Sequence, residues 1–390
     1  MRTRGFRRER SGFGCVSVLF LLGAVLALAG YVLVQVRLGN VPQFARTARS
    51  LPTLALTPTP TLSLETFLQR AEEAEQRGDY RTALEFYDRA SRRRPNDAEL
   101  HQRAARLLVF LGQPQKAEQR ARRALEIDPS HFPSKAVLCM ALDWQKRIAE
   151  AVAICRSVVE TNPNYARGYA YLAEALADAG DFEAARQAAQ TAVELAPNDV
   201  DVLRNLGYVY DVFDRYDLAL YHDRRALEQN PNLPHVLNAI GRIHFVRGRS
   251  ADAVSTFRRV LEIDPQNVEA HYRLGVVFQT LGEFGQARVA LDKAIELDPT
   301  FVRALTQRGS LNFQTRNYFG SVEDYERAIQ AAQLTGEKLT AIDYVNLGFA
   351  YRWIQQCDKA ISAWDTASAL APNDETVQNY VRAGYRQCGR

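Results

Sequence analysis

From Leu64 onward, apolar residues recur at three- and four-residue steps inside short blocks, and the blocks themselves recur every 34 residues. In residues 268–301, Leu274, Phe278 and Leu281 fall at i, i+4 and i+7, and Ala287, Leu291 and Ala294 repeat that spacing. This pattern predicts two amphipathic helices. Gly282, between them, suits the left-handed conformation that ends a helix. Asp298-Pro299 closes the second helix, because proline disfavours helical geometry in the residue before it. A hairpin this short leaves an apolar face that it cannot cover alone, so a neighbour has to cover it.

The neighbours come at a fixed interval. Ala83, Ala117, Ala151, Ala185, Ala219, Ala253, Ala287 and Ser321 form one column of small residues at a step of 34, and Ala90, Ala124, Val158, Ala192, Ala226, Val260, Ala294 and Ala328 form a second. Pro95, Pro129, Pro163, Pro197, Pro231, Pro265 and Pro299 mark the hairpin ends at the same step. Small residues at these points let a following helix approach closely.

The pattern resembles the tetratricopeptide repeat family, whose 34-residue unit carries Leu-Gly, then Tyr, Ala, Phe, Ala and Pro at set offsets. Leu206-Gly207 with Tyr210, Ile240-Gly241 with Phe257, Leu274-Gly275 with Phe278, and Leu347-Gly348 with Tyr351 carry the resemblance. It implies an all-α, right-handed superhelical solenoid of about nine helix-turn-helix repeats, at 64–97, 98–131, 132–165, 166–199, 200–233, 234–267, 268–301, 302–335 and 341–374. A covering helix follows in 375–390, with Val377, Tyr380, Val381 and Tyr385 facing in. Repeat 1 departs from the motif with Arg70-Ala71, which suits a terminal repeat. Repeat 8 departs with Arg308-Gly309, has no closing proline, and is followed by five extra residues, Gly336 to Thr340. The phase slips there, and a bent or loosened superhelix is expected at that joint.

The N-terminal part breaks the pattern. Residues 1–12 are a basic tail. Residues 13–36 contain an uncharged apolar run of 22 residues, Phe13 to Val34, long enough for a transmembrane helix. More arginine precedes the run than follows it, which favours the N-terminus inside and the remainder outside. Ala27-Leu28-Ala29 resembles a signal-peptidase site, and a cleaved signal is the alternative. Residues 37–63, rich in Pro and Thr, read as a linker that spans about 28 Å as a flexible coil. This layout points to a bitopic, bacterial-type membrane protein with its repeats extracytoplasmic.

Charge narrows the function. Of the net +4, residues 1–63 contribute +7, so residues 64–390 carry −3. A solenoid without a basic stripe argues against nucleic-acid binding. His235, His244 and His271 could approach one another across repeats 6 and 7, but no histidine has a metal-ligand spacing, and no metal or cofactor is expected. No phosphate loop or nucleophile motif occurs, and the segments outside the repeats are too short for a catalytic domain, so neither enzymatic activity nor a small-molecule substrate is expected. Of the five cysteines, Cys357 and Cys388 fall at the same edge of adjacent layers, and Cys139 and Cys155 face one another across repeat 3. These pairs are possible disulfides in an exported chain, with free buried thiols as the alternative.

In the family the first helices line a concave groove that holds extended peptides or partner segments. The resemblance puts Arg204, Asn205, Tyr208, Asn238, Arg242, Phe245, Tyr272, Arg273, Phe313, Asn346, Phe349, Arg352 and Trp353 on that groove. Asn can hold both groups of an extended backbone, Arg can pair with a carboxylate, and aromatics bury large area with few rotors. The expected function is therefore a membrane-anchored scaffold or adaptor for a protein or peptide of unknown identity. The alternatives are a cytoplasm-facing adaptor for envelope-assembly enzymes and an accessory subunit of an enzyme complex.

Overall fold

A computed structural model of the chain describes residues 62–389. The basic tail, the proposed transmembrane helix 13–36 and the linker up to residue 61 lie outside the described residues. Among the described residues no helix is long and apolar enough to cross a membrane.

Nineteen helices and no strands make up the described part. They are α1 (Leu64–Gln76), α2 (Tyr80–Arg93), α3 (Ala98–Phe110), α4 (Pro114–Ile127), α5 (Phe132–Trp144), α6 (Ile148–Thr161), α7 (Ala166–Asp178), α8 (Phe182–Leu195), α9 (Val200–Val212), α10 (Tyr216–Gln229), α11 (Pro234–Val246), α12 (Ser250–Ile263), α13 (Val268–Thr280), α14 (Phe284–Leu297), α15 (Val302–Gln314), α16 (Tyr318–Thr335), α17 (Ala341–Trp353), α18 (Cys357–Leu370) and α19 (Glu375–Gln387). Odd-numbered helices up to α17 are the first helices of the repeats, even-numbered ones the second, and α19 covers the open end.

The two small-residue columns form the seam. Every member is 0% exposed, so any added methylene would have to displace a neighbouring helix. The hairpin turns share one left-handed residue: Gly282 sits at φ 76°, and Arg316 holds the equivalent place in repeat 8 at φ 60°. A non-glycine residue there costs about 1–2 kcal/mol of backbone energy.

The five-residue insertion lengthens α16 to 18 residues, where the other second helices have 14. The insertion thus adds about one helical turn and a Gly336 cap at φ 78°. A Thr340–Asp343 capping box then starts α17. The core divides at this joint. One apolar cluster runs through repeats 6–8 and another through repeats 8 and 9 to α19, with Ile329 and Tyr344 packed against both.

The two halves of the solenoid are packed differently. The first helices α3, α5, α7 and α9 lie directly on one another, whereas α9, α11, α13, α15 and α17 touch only sparingly along the same side. Small residues allow the close approach, as in Ala170, Ala173, Ala175 and Ala177 of α7, all buried. This tight pitch brings repeat 1 against repeats 5 and 6. The Gly78 turn abuts the Asn232 carbonyl so closely that a Cβ would lie 2.3 Å from it. Arg81 donates to the Gln266 carbonyl at 3.0 Å, and Phe110 stacks on His235 with centroids 4.2 Å apart. The concave side of repeats 1–5 is thereby closed by the chain itself.

Candidate functional site: a concave face closed at one end and open at the other

The closed half is filled with charge. Asp201, fully buried on α9, accepts two hydrogen bonds from Arg106 of α3, both 2.8 Å, and one from the Tyr171 hydroxyl at 2.9 Å. Arg167 stands 3.5 Å away. Burial pushes this carboxyl up, but Arg106 and Arg167 outweigh it and hold Asp201 far below the usual carboxylate range. Next to it, Arg204 forks onto Glu174 at 3.2 and 2.6 Å, and Glu174 also accepts from Trp144 at 2.9 Å.

This geometry corrects the groove expectation at three positions. Arg204 is 7% and Asn205 0% exposed. Asn205 donates to the Asp201 carbonyl at 2.7 Å, and Tyr208 donates to Asp178. All three hold the closed turn together, because the superhelix tightens until their groove-facing side meets the chain's own carboxylates.

Asp143 lies at the edge of the same network, buried, with Oδ1 unpartnered. Burial first, then the Glu174 and Asp178 charges, push its carboxyl up to about 8. An acid raised above its unfolded value of about 3.9 penalises folding increasingly as pH climbs from about 4 to about 8. Asp143→Asn should therefore raise the melting temperature, more at pH 8 than at pH 5. Equal melting curves at both pH values would show that Asp143 is not held neutral.

In the open half, α11 to α17, Arg303, Gln314 and Trp353 are exposed and Tyr272, Arg273 and Gln307 partly so, while Gln279 is buried beneath them. Arg273 and Arg303 share Glu269, at 2.6 and 3.0 Å, and hold its carboxyl below the usual range against the opposing effect of burial. The Arg303 guanidinium lies 5.3 Å from the Tyr272 ring and 4.7 Å from Phe301. Beside this strip, Gln307 donates to Gln279 at 2.9 Å, and Gln279 donates to Gln314 at 2.9 Å, forming a chain of amides. Trp353 is 59% exposed and stacks on Tyr318, centroids 5.0 Å apart.

The other expected groove residues are more committed. Arg242 pairs with Asp211, and Asn238 donates to Asn267 at 3.1 Å. Asn346 donates to the Tyr325 hydroxyl at 3.3 Å, and Arg352 donates to the Gln387 carbonyl at 3.0 Å. Phe245 is half-buried against the repeat 6–8 core, while Phe313 and Phe349 pack edge-on against Tyr318 and Trp364. Glu269, Gln279, Arg303 and Gln314 belong to the groove but were not among the expected residues. Gln279 shares the register of Phe245 and Gln314 that of Trp353, so repeat position would have found those two; Glu269 and Arg303 stand at the second position of their repeats, where no groove residue was named.

The four cysteines among the described residues are joined in two pairs, Cys139–Cys155 within repeat 3 and Cys357–Cys388 between the start of α18 and the end of α19, with Cα separations of 5.5 and 5.6 Å. Among the described residues no group of three or more His, Cys, Asp or Glu side chains could hold a metal ion.

A solenoid of stacked hairpins with a lined concave face defines a helical repeat scaffold. Tetratricopeptide repeat profiles match residues 74–142, 144–208 and 268–301, and a TPR repeat profile matches 241–282, together half of the chain. The chain belongs to the tetratricopeptide repeat family. No curated protein sequence matches it. In fold it is similar to a monomeric IFIT1 mutant solved with m7Gppp-AAAA (TM-score 0.58, 14% identity, 83% of this chain and 82% of that one). It is also similar to the APC/C hetero-tetramer Cut9-Hcn1 (TM-score 0.53, 14% identity, 83% and 84%) and to PilF of Pseudomonas aeruginosa (TM-score 0.49, 19% identity, 56% and 97%). The likeness to the IFIT1 mutant and to Cut9-Hcn1, at 14% identity, shows the fold alone and leaves the partner open.

Proposed function

We propose that the chain is a membrane-anchored, non-catalytic scaffold that captures an extended peptide or protein segment along the open concave face of repeats 6–9, outside the cytoplasm. The observation that carries this reading is the contrast between the halves. In repeats 1–5 the groove donors and acceptors are spent on the chain itself, whereas Tyr272, Arg273, Arg303, Gln307, Gln314 and Trp353 remain at least partly exposed. Amides suit a peptide backbone, and exposed aromatic and arginine side chains supply most of the energy in such contacts. The apolar run 13–34, with its arginine-rich N-terminal flank, supports the anchor, and two cysteine pairs at bonding distance suit an oxidising compartment.

Binding is tested by selecting extended peptides from a random displayed library against the full chain. Tyr272→Ala combined with Trp353→Ala should weaken the selected peptides at least tenfold with an unchanged helical spectrum; undiminished binding would refute the groove. Reporter fusions at the C-terminus test the orientation, and activity only in a cytoplasmic reporter would reverse it.

A further inference from the structure

The N-terminal repeats carry a feature that peptide capture does not use. Helices α2 and α4 border a cleft of 620 Å³ on which Arg92, Arg120 and Arg123 converge, with Ser91, His101 and Asp88 on its walls. Each repeat has a counterpart of Arg92, at a step of 34, and in repeats 2–7 it is Glu126, Glu160, Glu194, Glu228, Glu262 and Glu296. Repeat 1 inverts that charge. The inversion extends along the chain, because Arg92-Arg93-Arg94 stands where repeat 2 has Glu126-Ile127-Asp128 and repeat 6 has Glu262-Ile263-Asp264. Folding does not require it, since the position is exposed in all seven repeats.

The side chains are arranged to leave one charge over. Arg120 pairs with Asp88 and donates from Nη1 to His101 Nδ1 at 3.0 Å, and the other ring nitrogen of His101 lies 3.1 Å from the Pro95 carbonyl. These contacts hold the Arg120 guanidinium at the cleft. Arg123 pairs with Glu126 at 2.9 Å. Arg92 donates only to the Asp88 carbonyl, at 3.4 Å, and no carboxylate among the described residues lies within ion-pair range of it. The cleft therefore keeps net positive charge and free N–H donors in the planar fork that matches a phosphate.

We propose that this cleft binds the phosphate of a small anionic headgroup, with Arg92 as the principal contact. The chain enters the solenoid at α1, a linker's length from residues 13–36, so the source with the highest local concentration would be an anionic phospholipid. That choice of source rests on the proposed anchor, while the phosphate chemistry does not.

The test uses the full chain in zwitterionic detergent, titrated calorimetrically with dihexanoyl phosphatidylglycerol, dihexanoyl phosphatidylcholine and inorganic phosphate. The phosphatidylglycerol probe should bind at least tenfold more tightly than the phosphatidylcholine probe. Arg92→Glu, which installs the residue that six other repeats carry, should abolish that preference with an unchanged melting temperature. Arg92→Gln should weaken it, and Arg258→Glu, the same charge change on α12, should leave it intact. Inorganic phosphate binding as tightly as the lipid probe would keep the site and make a free phosphate group its ligand. Equal binding by wild type and Arg92→Glu, or an equal loss in Arg258→Glu, would overturn the proposal. The Tyr272 and Trp353 substitutions should leave phosphate binding unchanged, which separates this outcome from failure of the groove.

Discussion

Asp201→Ala should cost about 3–5 kcal/mol of stability, because it strands Arg106 and Arg167 beside a site where the countercharge was fully buried. The reasoning is asymmetric. Bringing Arg106 and Asp201 out of water is expensive, and their mutual attraction, with the Tyr171 hydrogen bond, offsets that cost only while both partners are present. Replacing both together, Arg106→Met with Asp201→Leu, should therefore recover most of the loss. The sign with pH follows from the depressed carboxyl. Its contribution is present above the unfolded value of about 3.9 and fades as pH falls below it, so the deficit of the single variant should shrink in acid. Urea melts at pH 7 and pH 3.5 check both statements. A single-variant loss under about 1 kcal/mol would mean that the contacts between repeats 2 and 5 do not hold the first turn closed.

Trp364→Ala should cost a similar amount, about 3–5 kcal/mol, at the other end. Trp364 is the largest fully buried side chain, donates Nε1 to the Val345 carbonyl at 3.2 Å, and lies edge-on to Phe349 and Tyr385. Gly348 and Gly384 exist to admit it, since a Cβ at either would come within 2.6 Å of the indole. Without the indole, α19 keeps Val377 and Val381 as apolar anchors and the Cys357–Cys388 bond as a tether. Hydrogen exchange should then show α18 and α19 opening together, and more so after reduction. Exchange in α19 as slow as in the wild type would sink this account of how the solenoid is capped.

The layers of this fold were legible because they are local. Alternation at 3.6 residues, a 34-residue step and columns of Ala, Val and Ser report on contacts within one hairpin and with the next, and those residues are fully buried. The pitch of the superhelix was not legible. It accumulates from small rotations between repeats, and its consequence appears 95 residues away, where Arg106 meets Asp201. A register argument therefore treats Arg204 and Tyr272 as equivalent, although one is sealed against Glu174 and the other lines an open strip beside Arg303. The insertion after repeat 8 was visible as a phase slip, but its absorption into a longer α16 depended on Gly336 being available to cap the extra turn.

The concave face is closed over repeats 1–5, and we propose that it takes up its ligand over repeats 6–9. Hydrogen exchange of the full chain, free and saturated with a selected peptide, measures this most directly. Added protection is expected along α11, α13, α15 and α17, with α3, α5, α7 and α9 already protected and unchanged by the peptide. Peptide-dependent protection that runs through α3 to α9, or that falls only on the second helices, would contradict it.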